Sequence, residues 1–169
     1  MSVIHSGSRP HLFTAIALIV LMAVVILAAL AFQYLGGYVP CELCLKERWP
    51  YYIGIPVAVL AAVSSARDMP QSLTRGLLGL LAVVLLVGAG LSIYHAGVEW
   101  KFWEGPSSCT SSIDSVAKST GDLLNDLSNQ HGPSCSAAAL RVLGLSLAGW
   151  NVIVCLILSA IAYRGARKV

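Results

Sequence analysis

Four apolar runs separated by shorter polar stretches set the pattern of this chain. Residues 12–34 pass 23 positions without a charge, residues 49–66 pass 18, and residues 76–97 and 143–163 form two further uncharged runs. A helix needs about 20 apolar residues, each rising about 1.5 Å, to cross the roughly 30 Å hydrocarbon core of a bilayer. Each run therefore predicts a membrane-spanning helix. The second, at about 27 Å, falls a turn short, and a start nearer Cys44 would supply the missing turn. Pro50 suits the first turn of that helix, where its absent N–H costs little, whereas Pro56 inside it predicts a kink. Gly79, Gly88 and Gly90 in the third run either let a neighbouring helix approach closely or are simply tolerated, as glycine commonly is in membrane helices.

The first run exceeds the 7–15 apolar residues usual in a cleaved signal peptide. Gln33-Tyr34 and Gly36-Gly37 make a poor cleavage site, so a retained span is expected. Two stretches, 35–48 and 98–142, then connect spans on one side of the membrane, and residues 67–71 connect them on the other. Trp49, Tyr51, Tyr52, Tyr94, Trp100, Trp103, Trp150 and Tyr163 fall mostly near span ends, as an aromatic belt would. The expected fold is an all-α membrane protein: a four-transmembrane-helix bundle forming a single integral membrane domain over residues 1–169, with two cysteine-bearing loops on the outward, periplasmic side.

Composition strengthens the membrane assignment and narrows the function. Hydrophobic residues make up 57% of the 169 positions and charged residues 11%, against roughly 25% charged in soluble domains. The mean hydropathy is +0.77, and a water-exposed fold of this composition would show more apolar surface than water tolerates. Nucleic-acid binding is excluded, because no basic cluster exceeds the three cations of the last six residues. With four spans, both termini share a side with Arg9, Arg67, Arg75, Arg164, Arg167 and Lys168. The other side holds Lys46, Arg48, Lys101, Lys118 and Arg141, together with seven of the eight acidic residues. The cation excess puts the termini in the cytoplasm. Cys41, Cys44, Cys109 and Cys135 then all face outward, where disulfides form and persist.

The chemistry is concentrated in Pro40-Cys41-Glu42-Leu43-Cys44-Leu45-Lys46-Glu47-Arg48. If the chain is helical from about Cys44, positions 44 and 48 lie on one face. A guanidinium one turn from a thiol near a helix N-terminus favours the thiolate, which is the reactive form. Three readings compete for the four outward cysteines. They can be two dithiol pairs that pass electrons by thiolate attack on disulfide sulfurs. They can form a Cys₄ zinc site, although such sites usually present two short-spaced pairs and Cys109 and Cys135 are 26 positions apart. Or they can be static staples, which would leave Arg48 beside Cys44 without a role. Cys155, midway through the fourth run, reads as a packed apolar residue. Ile113, Val116, Thr120, Leu123, Leu124 and Leu127 recur at helical spacing, so the second loop contains either a short amphipathic interfacial helix or a polar loop packed on the bundle.

These residues resemble the bacterial disulfide bond formation protein B family (DsbB). The resemblance is carried by Phe32-Gln33, by Pro40-Cys41-Glu42-Leu43-Cys44 with Glu47-Arg48, and by Tyr94-His95-Ala96-Gly97-Val98-Glu99-Trp100. Cys109 with Cys135, Leu143-Gly144-Leu145-Ser146 and Trp150-Asn151 extend it over nearly the whole chain. It implies an inner-membrane oxidoreductase that reoxidises a periplasmic thioredoxin-fold dithiol oxidase of the DsbA type and passes the electrons to ubiquinone from the membrane quinone pool, so sustaining disulfide formation. Within it the partner's thiolate would attack Cys109 of a Cys109–Cys135 disulfide. Cys135 would then attack Cys41, and the freed Cys44 would add to or donate charge to the quinone. Arg48 would stabilise the Cys44 thiolate and charge on a quinone oxygen, and His95 would meet a quinone carbonyl or supply protons. The catalytic set is then Cys41, Cys44, Cys109 and Cys135, the quinone-binding set Arg48, His95 and Cys44, with no metal. The competing functions are a relative dedicated to one partner or running as a reductase, and a non-catalytic zinc or structural protein. The role of Glu47, paired with Arg48 or facing water, stays open.

Overall fold

The computed structural model describes residues 8–106, 135–136, 138 and 140–167. Four long helices form the molecule: α1 (Ser8–Tyr34), α3 (Trp49–Ala66), α4 (Gln71–Glu99) and α5 (Leu147–Arg167). Among the described residues, a short helix, α2 (Glu42–Lys46), precedes α3, and a two-stranded hairpin, β1 (Arg141–Val142) with β2 (Leu145–Ser146), precedes α5. Each long helix is long and apolar enough to cross a membrane, with α2 and α3 together supplying one 25-residue span. The helices pack in a ring, α1 on α3, α3 on α4, α4 on α5 and α5 back on α1, so the fold is a four-helix bundle.

The burial pattern is that of a protein solvated by lipid. Leu18, Met22, Leu78, Leu81, Leu85 and Leu158 fill the middle of the bundle, yet Val20, Leu27, Leu60, Val83, Leu86 and Ile157 project outward exposed. A helix apolar all round suits a hydrocarbon solvent. Polar side chains instead turn inward. Ser159 Oγ donates to the Ala82 carbonyl at 2.9 Å, and Ser92 Oγ donates to the Gly88 carbonyl at 3.0 Å. In such an interior, packing and hydrogen bonds between helices do the work that water would otherwise drive. Of the three glycines singled out in α4, only Gly88 meets a neighbour: a Cβ there would lie 3.1 Å from Pro50 and 3.2 Å from Cys155 Sγ, whereas Gly79 and Gly90 face open space.

Two boundaries differ from the apolar runs. The helix expected to start near Cys44 starts at Glu42, breaks after Lys46, and resumes at Trp49 with Arg48 as its N-cap residue. The last helix begins at Leu147, because residues 143–146 belong to the hairpin. Leu143 (φ 54°) and Gly144 (φ 81°) both take left-handed backbone at the tip, as a two-residue turn joining antiparallel strands requires. Arg141 sits in β1. Cys109 and the helical spacing of residues 113–127 lie outside the described residues.

Candidate functional site

Cys41 caps α2. Its backbone is extended (φ −72°, ψ 168°) and its Sγ accepts a hydrogen bond from the Cys44 N–H at 3.1 Å. An N-cap residue uses its side chain in this way to satisfy an orphan helix amide, a task more often given to Ser or Asp. The cap brings Cys41 and Cys44 to a Cα–Cα distance of 5.1 Å, and the two are joined as a disulfide. Cys41 is buried, while Cys44 is half-buried. The pair thus offers a shielded sulfur on one side and a more accessible one on the other.

Glu47 and Arg48, adjacent in sequence, point to different helices. Arg48 Nη1 donates to Gln33 Oε1 at 2.8 Å, tying the start of α3 to the end of α1. Its partner is a neutral amide, and no ion pair among the described residues involves it. Glu47 turns into the bundle instead. Its Oε1 lies 2.8 Å from His95 Nδ1, and its Oε2 accepts from Asn151 Nδ2 at 3.4 Å. The question the sequence left open is answered by this pairing: Glu47 neither pairs with Arg48 nor faces water.

His95 completes the connection to the disulfide. It is only 3% exposed. Its Nε2 stands 3.6 Å from Cys41 Sγ and 3.8 Å from Glu99 Oε1. Behind Glu47 the chain of polar groups continues: Asn151 Nδ2 donates to Ser92 Oγ at 2.7 Å, Tyr51 OH donates to Asn151 Oδ1 at 2.5 Å, and Tyr51 OH lies 3.1 Å from Cys155 Sγ. Four helical segments contribute to this one network. Buried hydrogen bonds linked in this way reinforce one another and fix the orientation of the groups at their end.

Of the residues singled out from sequence, Cys41, Cys44 and His95 come together, with ligand-capable atoms all within 4.8 Å of one another. Arg48 is held instead by Gln33 at the end of α1. Cys135 is disulfide-bonded, 1% exposed, and belongs to the same buried cluster as Cys41, Leu43 and Val98, against which Cys44 packs. Cys155 is buried in the bundle, as a packed residue would be, but it also touches the Tyr51 hydroxyl. Sequence reasoning assigned no role to Gln33, Ser92, Glu99 or Asn151. The available signal was their polarity within or beside apolar runs, where a polar side chain must find a partner.

The sequence model of the family described as Disulfide bond formation protein DsbB matches residues 11–164. A protein of Rickettsia prowazekii, described as uncharacterized, is 27% identical over 146 residues, covering 85% of this chain and 81% of that one. Disulfide bond formation protein B of Saccharophagus degradans is 31% identical over 148 residues, covering 85% and 86%. That of Cupriavidus pinatubonensis is 33% identical over 136 residues, covering 78% and 77%. No solved structure matches the chain.

Proposed function

This chain belongs to the disulfide bond formation protein B family and is a multi-pass, disulfide-forming membrane oxidoreductase; on that footing we propose that it reoxidises a DsbA-type periplasmic dithiol protein and passes the electrons to a quinone. The observation that carries this reading is the burial of Cys135 in one cluster with Cys41. Thiol–disulfide exchange needs one sulfur to attack another directly, and a disulfide-bonded Cys135 in the same buried cluster as Cys41 supports such an exchange. The charge distribution supports an orientation with both termini in the cytoplasm and the cysteine-bearing end outside the bacterial inner membrane, and we take the chain as one integral membrane domain.

The proposed sequence of bonds runs inward. A thiolate of the reduced partner attacks Cys109, breaking the Cys109–Cys135 disulfide and forming a mixed disulfide. The partner's second thiol resolves that bond, leaving oxidised partner, and two electrons now reside on Cys109 and Cys135. Cys135 attacks Cys41, so that the Cys41–Cys44 bond breaks and Cys44 leaves as a thiolate. Cys109 then closes on Cys135, and Cys41 departs as the second thiol of the reduced pair. His95 Nε2, 3.6 Å from Cys41 Sγ, is placed to hold and release the proton of that sulfur, with Glu47 stabilising the imidazolium so formed.

The residues around Cys44 fit a quinone. Arg48 offers a charged donor beside the Gln33 amide, and Phe32, Leu45 and Trp49 are exposed apolar neighbours in sequence of these groups. A bound quinone supplies a two-electron, two-proton acceptor. Arg48 and Gln33 would hold a ring oxygen, and the apolar side chains would cover its faces.

The test is direct. Purified protein is mixed with a ubiquinone analogue and a reduced thioredoxin-fold dithiol partner, and quinone absorbance is followed. The wild type is expected to consume quinone and Cys44→Ser to consume none. No consumption by the wild type, or equal consumption by the variant, overturns the mechanism.

A further inference from the structure

We propose that the reduced form of the Cys41–Cys44 pair is a zinc site, in which His95 and Glu99 complete the ligand set. The inference rests on the pair being reducible, not on the identity of its electron acceptor. It also differs from a Cys₄ site, since it uses one cysteine pair and two residues at the end of α4.

Geometry supports it first. Zinc binds thiolate at about 2.3 Å and imidazole at about 2.0–2.1 Å, so at a tetrahedral angle the sulfur and nitrogen stand roughly 3.5 Å apart. Cys41 Sγ and His95 Nε2 are 3.6 Å apart. The two disulfide sulfurs of Cys41 and Cys44 and a ring nitrogen of His95 lie within 4.8 Å of one another, and breaking the S–S bond lets the two sulfurs separate to flank an ion.

The ring is also prepared for a metal. Its Nδ1 lies 2.8 Å from Glu47 Oε1. A carboxylate there draws the ring proton to Nδ1 and leaves the Nε2 lone pair directed at Cys41. Metal-binding histidines almost always carry such a partner on the other nitrogen.

The independent observation is Glu99. It is buried, its Oε1 is 3.8 Å from His95 Nε2, and its Oε2 has no hydrogen-bond partner among the described residues. A buried carboxylate left short of partners is costly, and a divalent cation bound through Oε1, the oxygen nearer His95, would offset that cost. Two thiolates, an imidazole and a carboxylate suit zinc, whereas magnesium and calcium take oxygen ligands.

The chemistry balances simply. Two electrons and two protons convert the disulfide to two thiols, and Zn²⁺ then displaces those two protons and binds both thiolates. The sulfurs cannot rejoin while the metal holds them. Zinc would therefore trap the reduced state, and the oxidised protein would have no affinity for it at this position.

Cobalt serves as the probe, because thiolate ligation gives Co²⁺ charge-transfer and tetrahedral d–d absorption. The full chain carrying Cys109→Ser and Cys135→Ser is used, so that only the Cys41–Cys44 pair responds to reduction. After phosphine reduction, Co²⁺ bands should appear and be displaced by one equivalent of zinc; the oxidised protein should show none. His95→Gln should weaken binding at least tenfold, and Glu47→Gln should weaken it about 10–100-fold through the ring. A thiol-labelling count adds a readout free of colour: zinc should slow alkylation of Cys41 and Cys44, and Glu99→Gln should diminish that protection. Bands in the oxidised protein, none after reduction, or equal affinity in His95→Gln would each overturn the proposal. Failure here leaves quinone consumption untouched, so the two readings fall separately.

Discussion

Among the described residues, two buried histidines stand at opposite ends of the bundle, and their surroundings differ completely. His95, near the end of α4, has Glu47 on one ring nitrogen and Cys41 on the other. His11, near the start of α1, is 1% exposed with neither nitrogen hydrogen-bonded among the described residues. Around it the polar contacts are structural. Ser64 and Thr74 hydroxyls bond to each other at 2.8 Å, and Arg75 Nε donates to the Ala166 carbonyl at 3.0 Å, fastening α4 to the end of α5. The same residue type is thus wired into a sulfur at one end and only buried at the other. Burial alone does not make a histidine chemical; a partner that assigns its tautomer does.

Short of removing His95 itself, the largest effect expected from this contrast is at Glu47. Glu47→Gln keeps the volume but removes the charge that would stabilise an imidazolium at His95. If the pair manages the proton of Cys41, turnover should fall on the order of 10²-fold, within the span of general acid–base contributions. Steady-state kinetics should show the loss in kcat, with the Cys41–Cys44 disulfide still present by thiol counting. Unchanged kcat would reduce the Glu47–His95 pair to packing and erase the difference from His11.

Arg48 tests the other side of the same disulfide. Arg48→Lys keeps the charge and loses the planar fork. About one charge-assisted hydrogen bond is at stake, so the apparent quinone KM should rise on the order of tenfold while the cysteines still pair. An unchanged KM would contradict the assignment of Arg48 to the acceptor side. A smaller effect is expected at Asn151, which donates to Glu47 and Ser92 and accepts from Tyr51. Asn151→Leu releases Glu47 without touching its charge. It should lower kcat several-fold and leave the quinone KM alone, because it acts through Glu47 rather than on a reacting atom. A rise in KM with kcat intact would place Asn151 on the wrong side of the disulfide.

The fold class was legible because four uncharged runs of bilayer length admit few other solutions. Cys41, Cys44 and His95 could be singled out from motif and resemblance, and the structure brings those three side chains together. The direction of Glu47 was not. It and Arg48 are neighbours in sequence, and which one turns inward depends on His95, 48 positions away, and Asn151, 104 positions away. No local pattern encodes a partner at that distance. The hairpin before α5 escaped for a different reason. Two-residue strands give too few positions for an alternation to register, and only Gly144 at its tip marks the turn. The break between α2 and α3 was missed because Lys46-Glu47-Arg48 continues a helical composition, while the pairing of Glu47 with α4 and Arg48 with α1 accompanies the break.

The smallest change to activity, and the one that isolates the contrast, is expected at His11. Its two ring nitrogens are enclosed without hydrogen bonds among the described residues, and a buried polar group left unpaired costs about 1–3 kcal/mol. Leucine is of similar size and has no such groups to desolvate. His11→Leu should therefore leave quinone consumption at the wild-type rate and raise the unfolding temperature of the detergent-solubilised protein by a few degrees. A His95→Leu substitution at the other end should do the reverse, stranding Glu47 without its partner and stopping turnover. A lowered unfolding temperature in His11→Leu would mean that His11 has a partner of its own, and the two ends would then differ in what their histidines hold rather than in whether they hold anything.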